Sequence, residues 1–329
     1  MSAKKGMIGS HLSIAGGMAG ALREAEALGL DCVQVFTKNQ RQWKAPPLRE
    51  AERDEWIAAL RRLKWDDLAA WRTVSHNSYL VNLASPDGDA RARSIDVQCI
   101  ELERCEALRI PGCVMHPGAH LGERPERPRA AKAGDRTGPP NGTIGASERA
   151  GLDRVVAALD EIHRRLRGLR TLTLLETTAG TGTNLGADFA HLAFVRDRVR
   201  EPERVAFCFD TCHVTAAGYD MSTPAGAEET WQRWDSICGL ESIRCVHVND
   251  SEGAVGSRVD RHAHIGEGCC GRSCFQTLMN LPVLAGVPKI LETPKGEDAR
   301  GRPWDRVNAG RLRRMIKSTR PTRPSPRRA

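Results

Sequence analysis

Thr171-Leu172-Thr173-Leu174-Leu175-Glu176 and Val205-Ala206-Phe207-Cys208-Phe209-Asp210 are short apolar runs that each end on a carboxylate. Runs of this length and composition read as buried β-strands. The same character recurs over residues 7–13, 32–37, 73–79, 112–118, 243–249 and 289–293, and the two quoted runs extend over 171–178 and 205–213. Between most of these segments, apolar residues recur every three or four positions, as over 18–28, 49–63, 92–108, 152–166 and 225–234, which predicts helices. Strand and helix alternating eight times imply an α/β fold closed as a single (β/α)₈ TIM barrel, with an open doubly wound sheet as the alternative. The 329 residues suit one such domain, since these barrels take about 250 residues and a second full domain would barely fit.

Nine potential metal ligands are scattered along the chain, seven of them at or just after the apolar runs of six strand-like segments and two, Asp260 and His262, after the 243–249 run: His76, His116, Glu176, Asp210, His213, His247, Asp260, His262 and Glu292. Polar groups placed repeatedly at strand ends are how a parallel barrel builds an active site at its C-terminal face. Singly, each is weak, because a lone histidine is more often a satisfied core or surface residue. The weight lies in pairing. Asp210-Thr211-Cys212-His213 sets carboxylate and imidazole three residues apart on the turn leaving a strand. Asp260-Arg261-His262 sets them two apart, where an extended chain points both the same way. Imidazole with carboxylate favours zinc, with manganese or iron fitting such ligands in part.

Nine ligands are too many for one tetrahedral ion and suit three if one carboxylate bridges two of them. Three divalent ions would bring +6 against −4 from Glu176, Asp210, Asp260 and Glu292, which leaves the site positive after binding one hydroxide and suited to an anionic substrate. That hydroxide would be the nucleophile, because a metal lowers the pKa of bound water to about 7 and stabilises both oxygens of a phosphodiester displacement.

Among the other histidines, His11 and His264 lie near site segments and read as hydrogen-bond partners of ligands, His120 as a ligand or a loop cap, and His163 and His191 as helix-surface residues. Gly180-Thr181-Gly182-Thr183-Asn184-Leu185-Gly186 stands where a dinucleotide loop would lie, but its third glycine is one position late and no acidic ribose partner follows, so it reads as a tight turn. Cys269, Cys270 and Cys274 lack a fourth ligand at suitable spacing and read as free thiols near a helix start. Eleven cysteines without framework spacing, and no signal peptide, point to reduced thiols in the cytoplasm, at the nucleoid if the source is bacterial.

The net charge of +8 suggests nucleic acid until it is located. Residues 311–328 carry eight basic and no acidic side chains, which leaves 41 of each sign elsewhere, so the body is neutral. Residues 1–310 are therefore expected to form the barrel domain and 311–329 a basic, disordered tail, either a solubilising extension or a source of salt-sensitive phosphate attraction. Residues 122–146, with Arg124-Pro125-Glu126-Arg127-Pro128-Arg129 and Gly138-Pro139-Pro140-Asn141-Gly142, form neither strand nor helix by composition and read as a solvated insertion. No apolar run is long enough to cross a bilayer.

Longer motifs add a resemblance. They are Phe36-Thr37-Lys38-Asn39-Gln40-Arg41-Gln42-Trp43, His76-Asn77-Ser78-Tyr79-Leu80-Val81-Asn82-Leu83, His116-Pro117-Gly118, Glu176-Thr177-Thr178-Ala179-Gly180, Asp210-Thr211-Cys212-His213 and Ala216-Ala217-Gly218-Tyr219-Asp220. His247-Val248-Asn249-Asp250, Gly256-Ser257-Arg258-Val259-Asp260-Arg261-His262, Gly266-Glu267-Gly268 and Ile290-Leu291-Glu292-Thr293 continue the set. From about Ile8 to Glu292 the chain resembles the endonuclease IV family of apurinic/apyrimidinic (AP) DNA repair endonucleases, zinc-dependent TIM-barrel enzymes.

The resemblance implies a trinuclear zinc site, with His76, His116 and Glu176 on one ion, Glu176, Asp210, His247 and Glu292 on a second, and His213, Asp260 and His262 on the third. Glu176 would bridge and is the residue assigned to catalysis. It further implies hydrolysis of the phosphodiester 5′ to an abasic site, leaving a 3′-hydroxyl, and removal of 3′-blocking groups. The partner would be damaged double-stranded DNA, met by a monomer through Asn39, Gln40, Arg41, Tyr79 and Leu80. An abasic nucleotide has no base to unstack, so extruding it costs little. Thr177 stands where many members have Asn, and Asn77 where Asp is common, which touches the hydrogen bonds that orient ligands. A sugar isomerase on a related barrel is the rival enzyme, but it needs fewer metals and has no use for Asn39-Gln40-Arg41-Gln42-Trp43 beside Tyr79. A non-catalytic damage binder with structural zinc would be expected to carry cysteine-rich, closed sites instead.

Overall fold

The computed structural model describes residues 6–122 and 139–317. The strands β1 (Ile8–His11), β2 (Cys32–Val35), β3 (Thr73–His76), β4 (Gly112–Met115), β5 (Leu172–Glu176), β6 (Val205–Asp210) and β7 (Ile243–His247) run in sequence around a closed parallel barrel. A two-stranded antiparallel ribbon, β8 (Asp250–Ser251) with β9 (His262–Ala263), projects after β7, and β10 (Lys289–Leu291) completes the ring. Closure is direct: Gly9 of β1 pairs with Cys32 on one side and Ile290 on the other, which removes the open-sheet alternative.

Side chains alternate across a strand, and in a barrel this parity sorts the sequence into an inner and an outer set. Cys32, Val74, Val114, Leu174, Ala206, Cys208, Cys245 and Ile290 point inward and form one buried cluster. Val33, Val35, Cys113, Met115, Leu175, Phe207, Phe209, Val246 and Leu291 belong to the larger cluster between barrel and helices. Two residues beyond the inward apolar layer, at the strands' C-terminal ends, the same parity reaches Gln34, His76, His116, Glu176, Asp210, His247 and Glu292. The fold therefore gathers the polar residues over the barrel axis.

The outer layer comprises α1 (Met18–Leu28), α2 (Glu50–Leu63), α3 (Gly88–Ala107), α4 (Ala146–Arg165), α5 (Phe189–Arg196), α6 (Thr211–Ala217), α7 (Pro224–Cys238), α8 (Gly271–Asn280) and α9 (Trp304–Arg313). Several start earlier than the apolar period suggests, because their first turns are set by polar caps. Asp87 accepts from Ala90 N at 2.9 Å to open α3, and Glu148 reaches back to Gly145 N at 2.9 Å to open α4.

Most strands end two or three residues before the expected bounds, and two further boundary changes alter the reading. The strand reading over 205–213 ends at Asp210, whose side chain accepts from His213 N at 2.8 Å and caps α6, so His213 sits on a helix. The body also continues past residue 310. Leu312 is fully buried, Met315 and Ile316 pack against the core, and Arg311 and Arg313 reach Glu267 and Asp31 at 2.8 Å each. Three apolar side chains in five residues supply surface that the charge count hid, so half of the basic cluster belongs to the fold. The rest of that tail, and residues 123–138 of the Pro/Gly/Arg stretch, lie outside the described residues. What is described of that stretch is tied down, with Gly142 N donating to Asp188 at 2.8 Å. No helix among the described residues is long and apolar enough to cross a membrane.

Candidate metal centre

Glu176, at the end of β5, is fully buried and uses its two oxygens differently. Oε2 lies 3.2 Å from His76 Nε2 and 3.0 Å from His116 Nε2, whereas Oε1 lies 2.7 Å from His247 Nδ1. Ligand atoms of His76, His116 and Glu176 lie within 4.8 Å of one another, as do those of Glu176, Asp210, His247 and Glu292. A carboxylate that divides its oxygens between two such groups has the geometry of a bridge. Burial would raise the Glu176 carboxyl, but His247 and His116 hold it well below the usual carboxylate range. Burial would likewise lower His247, yet Glu292 and Glu176 hold it well above the ordinary imidazole value.

The third group gathers around the start of α6 and the ribbon. His213 Nε2 is 3.0 Å from Asp260 Oδ1, and His262 Nε2 is 3.8 Å from the same oxygen and 3.7 Å from Asp210 Oδ2. His262 Nε2 is buried without a hydrogen-bond partner. A buried nitrogen lone pair facing two carboxylates beyond hydrogen-bond range has the spacing of ligands that flank one ion at about 2.1 Å. Cys212 lies within 4.8 Å of Asp260 and His262, but burial pushes its thiol up to about 12, so it remains protonated.

The imidazoles are oriented by backbone. His76 Nδ1 donates to Asn77 O at 2.9 Å, His213 Nδ1 to Thr177 O at 2.8 Å, and His262 Nδ1 to Glu292 O at 3.2 Å. A carbonyl only accepts, so each Nδ1 carries the proton and each Nε2 presents a lone pair to the cluster. His247 is turned the other way: its Nε2 donates to Gln34 Oε1 at 2.8 Å, which leaves Nδ1 for the carboxylates. Gln34 also donates to Glu292 Oε1 at 2.7 Å, and Asn249 donates to Asp210 Oδ2 at 2.8 Å while accepting from Glu292 N at 2.7 Å. Gln34 was not singled out in the sequence, although its parity, two residues beyond Cys32, could have found it.

Beside the cluster, two loops form an exposed rim. Tyr79 is 63% exposed, with its ring centroid 5.3 Å from that of His76 and 6.4 Å from that of His116. Asn39 and Arg41 are exposed, Gln40 and Leu80 partly so, and Ser78 donates to Gln40 O, which joins the loops.

Comparison with known proteins fits this arrangement. A family model described as a xylose isomerase-like TIM barrel matches residues 22–317. The chain is 42% identical over 311 residues to a probable endonuclease 4 of Chloroflexus aggregans, covering 94% of this chain and 98% of that one. The chain belongs to the endonuclease IV family. The crystal structure of endonuclease IV from Thermus thermophilus superposes with a TM-score of 0.74 at 33% identity, over 94% of this chain and 98% of that one. A D-tagatose 3-epimerase-like protein, at 16% identity and a TM-score of 0.62 over 93% and 95% of the two chains, shares the fold alone.

For an endonuclease IV family member, the substitutions at 77 and 177 have a structural reading. Both residues orient histidines through main-chain carbonyls, while their side chains serve elsewhere, Asn77 Nδ2 on Gln98 at 3.0 Å and Thr177 Oγ1 on Asp210 N at 2.9 Å. The other histidines divide. His11 hydrogen-bonds Gln34 and meets Glu292 at 3.2 Å, as expected, whereas His264 stacks on Trp304 and pairs with Asn308. His120 caps its loop, its Nδ1 accepting from Gly122 N at 3.1 Å. His163 and His191 are buried, not on the surface: His191 Nδ1 accepts from Gly186 N at 3.1 Å, and His163, on α4, accepts at its main-chain carbonyl from the Arg204 guanidinium at 3.1 Å. Gly180, Gly182 and Gly186 have φ of 71°, 63° and 100°, which accounts for their glycines by turn geometry. All eleven cysteines are free thiols, and Cys270 and Cys274 are buried at the start of α8.

Proposed function

We propose that this chain is a metal-dependent AP endonuclease of DNA repair, which hydrolyses the phosphodiester 5′ to abasic sites in duplex DNA, leaves a 3′-hydroxyl and clears blocked 3′ ends. The observation that carries the reading is the split of Glu176 between His76 with His116 on one oxygen and His247 on the other, in a chain 42% identical to a probable endonuclease 4. We assign three zinc ions: one to His76, His116 and Glu176 and one to Glu176, Asp210, His247 and Glu292, whose ligand atoms cluster in these two sets, and one to His213, Asp260 and His262, where both imidazoles face Asp260 Oδ1, at 3.0 and 3.8 Å. When bound, the ions would supply positive charge to the phosphodiester and acidify an attacking water.

The chain's own residues do the rest. Thr177, Asn77 and Glu292 fix the imidazoles through their carbonyls, and Gln34 holds His247 and Glu292 in one plane of hydrogen bonds. Arg41, Tyr79 and Leu80, with Asn39 and Gln40, meet the minor groove and stabilise the bent duplex with the abasic sugar turned out. Tyr79, next to His76 and His116, stands between the rim and the cluster and marks where the extruded sugar-phosphate enters.

Metal analysis of the purified protein, paired with incision of an abasic-site duplex with and without chelator, tests the reading. About three zinc ions per chain, and incision that chelator abolishes and zinc restores, are the expected results. Chelator-resistant incision, or a metal-replete protein inactive on abasic DNA, would overturn it.

A further inference from the structure

Beneath the carboxylate and imidazole cluster lie two thiols for which the proposed hydrolysis has no use. Cys208 on β6 and Cys245 on β7 are register partners on adjacent parallel strands, and both are fully buried. They point inward, where their neighbours in the barrel include Val114, Leu174, Ala206 and Ile290. The two thiols face one another across the strand pair, with the His247 ring beside them. One ligand atom from each of Cys208, Cys245 and His247 lies within 4.8 Å of the other two. Asp210 and His247 follow two residues later on the same two strands, so the thiols form the layer directly below the candidate metal centre.

The donor sets of the two layers differ in kind. The upper layer offers carboxylate oxygen and imidazole nitrogen; the lower one offers two sulfurs and one nitrogen in apolar surroundings. Sulfur donors select thiophilic ions where oxygen donors do not. Two thiolates neutralise one divalent ion, which makes burial of the charge tolerable in that apolar layer. Binding moves no electrons: each thiol releases its proton to solvent, and two metal–sulfur bonds and one metal–nitrogen bond form.

We propose that Cys208, Cys245 and His247 form a site for a thiophilic divalent cation of the cadmium class, and that its occupancy excludes a complete upper centre because His247 belongs to both. A thiophilic ion would reach it from the barrel mouth, through the upper layer, and would draw His247 away from Glu176 and Glu292, which it now meets at 2.7 and 3.2 Å. Soft-metal inhibition would thus act from below and leave the remaining upper ligands in place. The exclusion rests on the zinc assignment proposed above, whereas the thiol site itself does not.

The test is a cadmium chloride titration of the purified full-length protein. Ultraviolet thiolate-to-cadmium charge-transfer absorption, bound zinc and abasic-site incision are read on the same samples. The wild type should develop the band to a plateau at about one cadmium per chain, with parallel loss of zinc and incision, and zinc added first should delay the band. Cys208→Ser and Cys245→Ser should each weaken the cadmium band by roughly tenfold or more in affinity and keep incision in the presence of cadmium, while Cys269→Ser, at an exposed thiol, should behave as wild type. Cys208→Ala provides a second, apolar replacement should the serine variants fold poorly, with the same expectation. A full-sized band in the Cys208 and Cys245 variants would overturn the site, and a band that forms with zinc fully retained would overturn the exclusion. A wild type that shows the cadmium band but never incises abasic DNA would leave the thiol site standing and remove the hydrolase reading.

Discussion

Thr177 and His213 are joined through the main chain: the imidazole Nδ1 donates to the Thr177 carbonyl at 2.8 Å, while the Thr177 hydroxyl accepts from Asp210 N at 2.9 Å. One residue therefore fixes two candidate ligands, and only the second contact uses its side chain. Thr177→Asn should preserve zinc content and incision, since an amide oxygen can accept the same bond. Thr177→Val leaves a buried N–H unsatisfied, which should cost about 1–3 kcal/mol. It should also loosen the ion held by Asp210. Thermal denaturation and metal analysis of the two variants check this, and a Thr177→Asn protein that loses zinc would mean that the hydroxyl is specifically required.

Glu176→Ala removes the carboxylate that both His76 with His116 and His247 face. Two of the three ions should go with it, and incision should fall by roughly a thousandfold or more, a barrier change of about 4 kcal/mol. Zinc per chain and single-turnover incision are the measurements. Full zinc content in this variant would rule out a bridging role.

The rim that carries Arg41 is anchored from below. Lys38 Nζ lies 3.5 Å from Glu101 Oε1, both side chains being buried, and donates to Gln42 O at 3.0 Å, while Arg104 holds the Thr37 and Pro46 carbonyls. On the proposed reading, an arginine carried by an anchored loop needs little backbone ordering to meet DNA. Arg41→Ala should weaken binding to an abasic duplex by about 1–2 kcal/mol, roughly 5- to 30-fold, with zinc content unchanged. Loss of zinc in this variant would place Arg41 in the metal centre instead.

The barrel and its cluster were legible because both follow from strand parity: an apolar inward layer and, two residues on, a polar one. The candidate ligands stood out as charges at the ends of apolar runs, as at Glu176 and Asp210. Gln34 escaped notice because an uncharged amide in an apolar strand carries no comparable signal, although it hydrogen-bonds His11, His247 and Glu292. The C-terminal boundary was misplaced because Leu312, at the end of α9, and Met315 and Ile316, in the turn after it, stand among basic residues, and charge outweighed three apolar side chains. His163 and His191 were misread for the converse reason. A histidine in a helical pattern reads as polar, but its ring can be buried when neutral.

That neutral burial has a pH signature at His163. Burial, reinforced by Arg204, lowers its imidazole from 6.5 to about 4, and its Nδ1 has no hydrogen-bond partner. In the unfolded chain the ring takes up a proton below about 6.5, but in the fold it stays neutral until about 4. The associated stability is complete above the unfolded value and is lost as pH falls through that window. Denaturant midpoints of wild type and His163→Leu should therefore converge or cross as pH falls from 7 toward 4, with the wild type falling more steeply. Parallel midpoints across the window would show that His163 titrates alike in both states.

The basic cluster near the C-terminus divides at Lys317, whose N–H donates to Asn280 Oδ1 at 2.7 Å. Arg311 and Arg313 are committed to Glu267 and Asp31, whereas Arg320, Arg323, Arg327 and Arg328 follow Lys317 with no acidic residue among them. These four arginines carry half of the chain's net charge of +8, and on the proposed reading they should supply much of its long-range attraction to phosphate. Each one that contacts DNA should steepen the dependence of log affinity on log salt by about 0.9. Truncation after Lys317 should flatten that dependence and weaken binding at low salt, while turnover at saturating DNA stays the same. Binding isotherms over a salt series, with single-turnover incision alongside, measure both. An unchanged slope would mean that these arginines do not touch DNA, and an inactive truncation would mean that they belong to the fold.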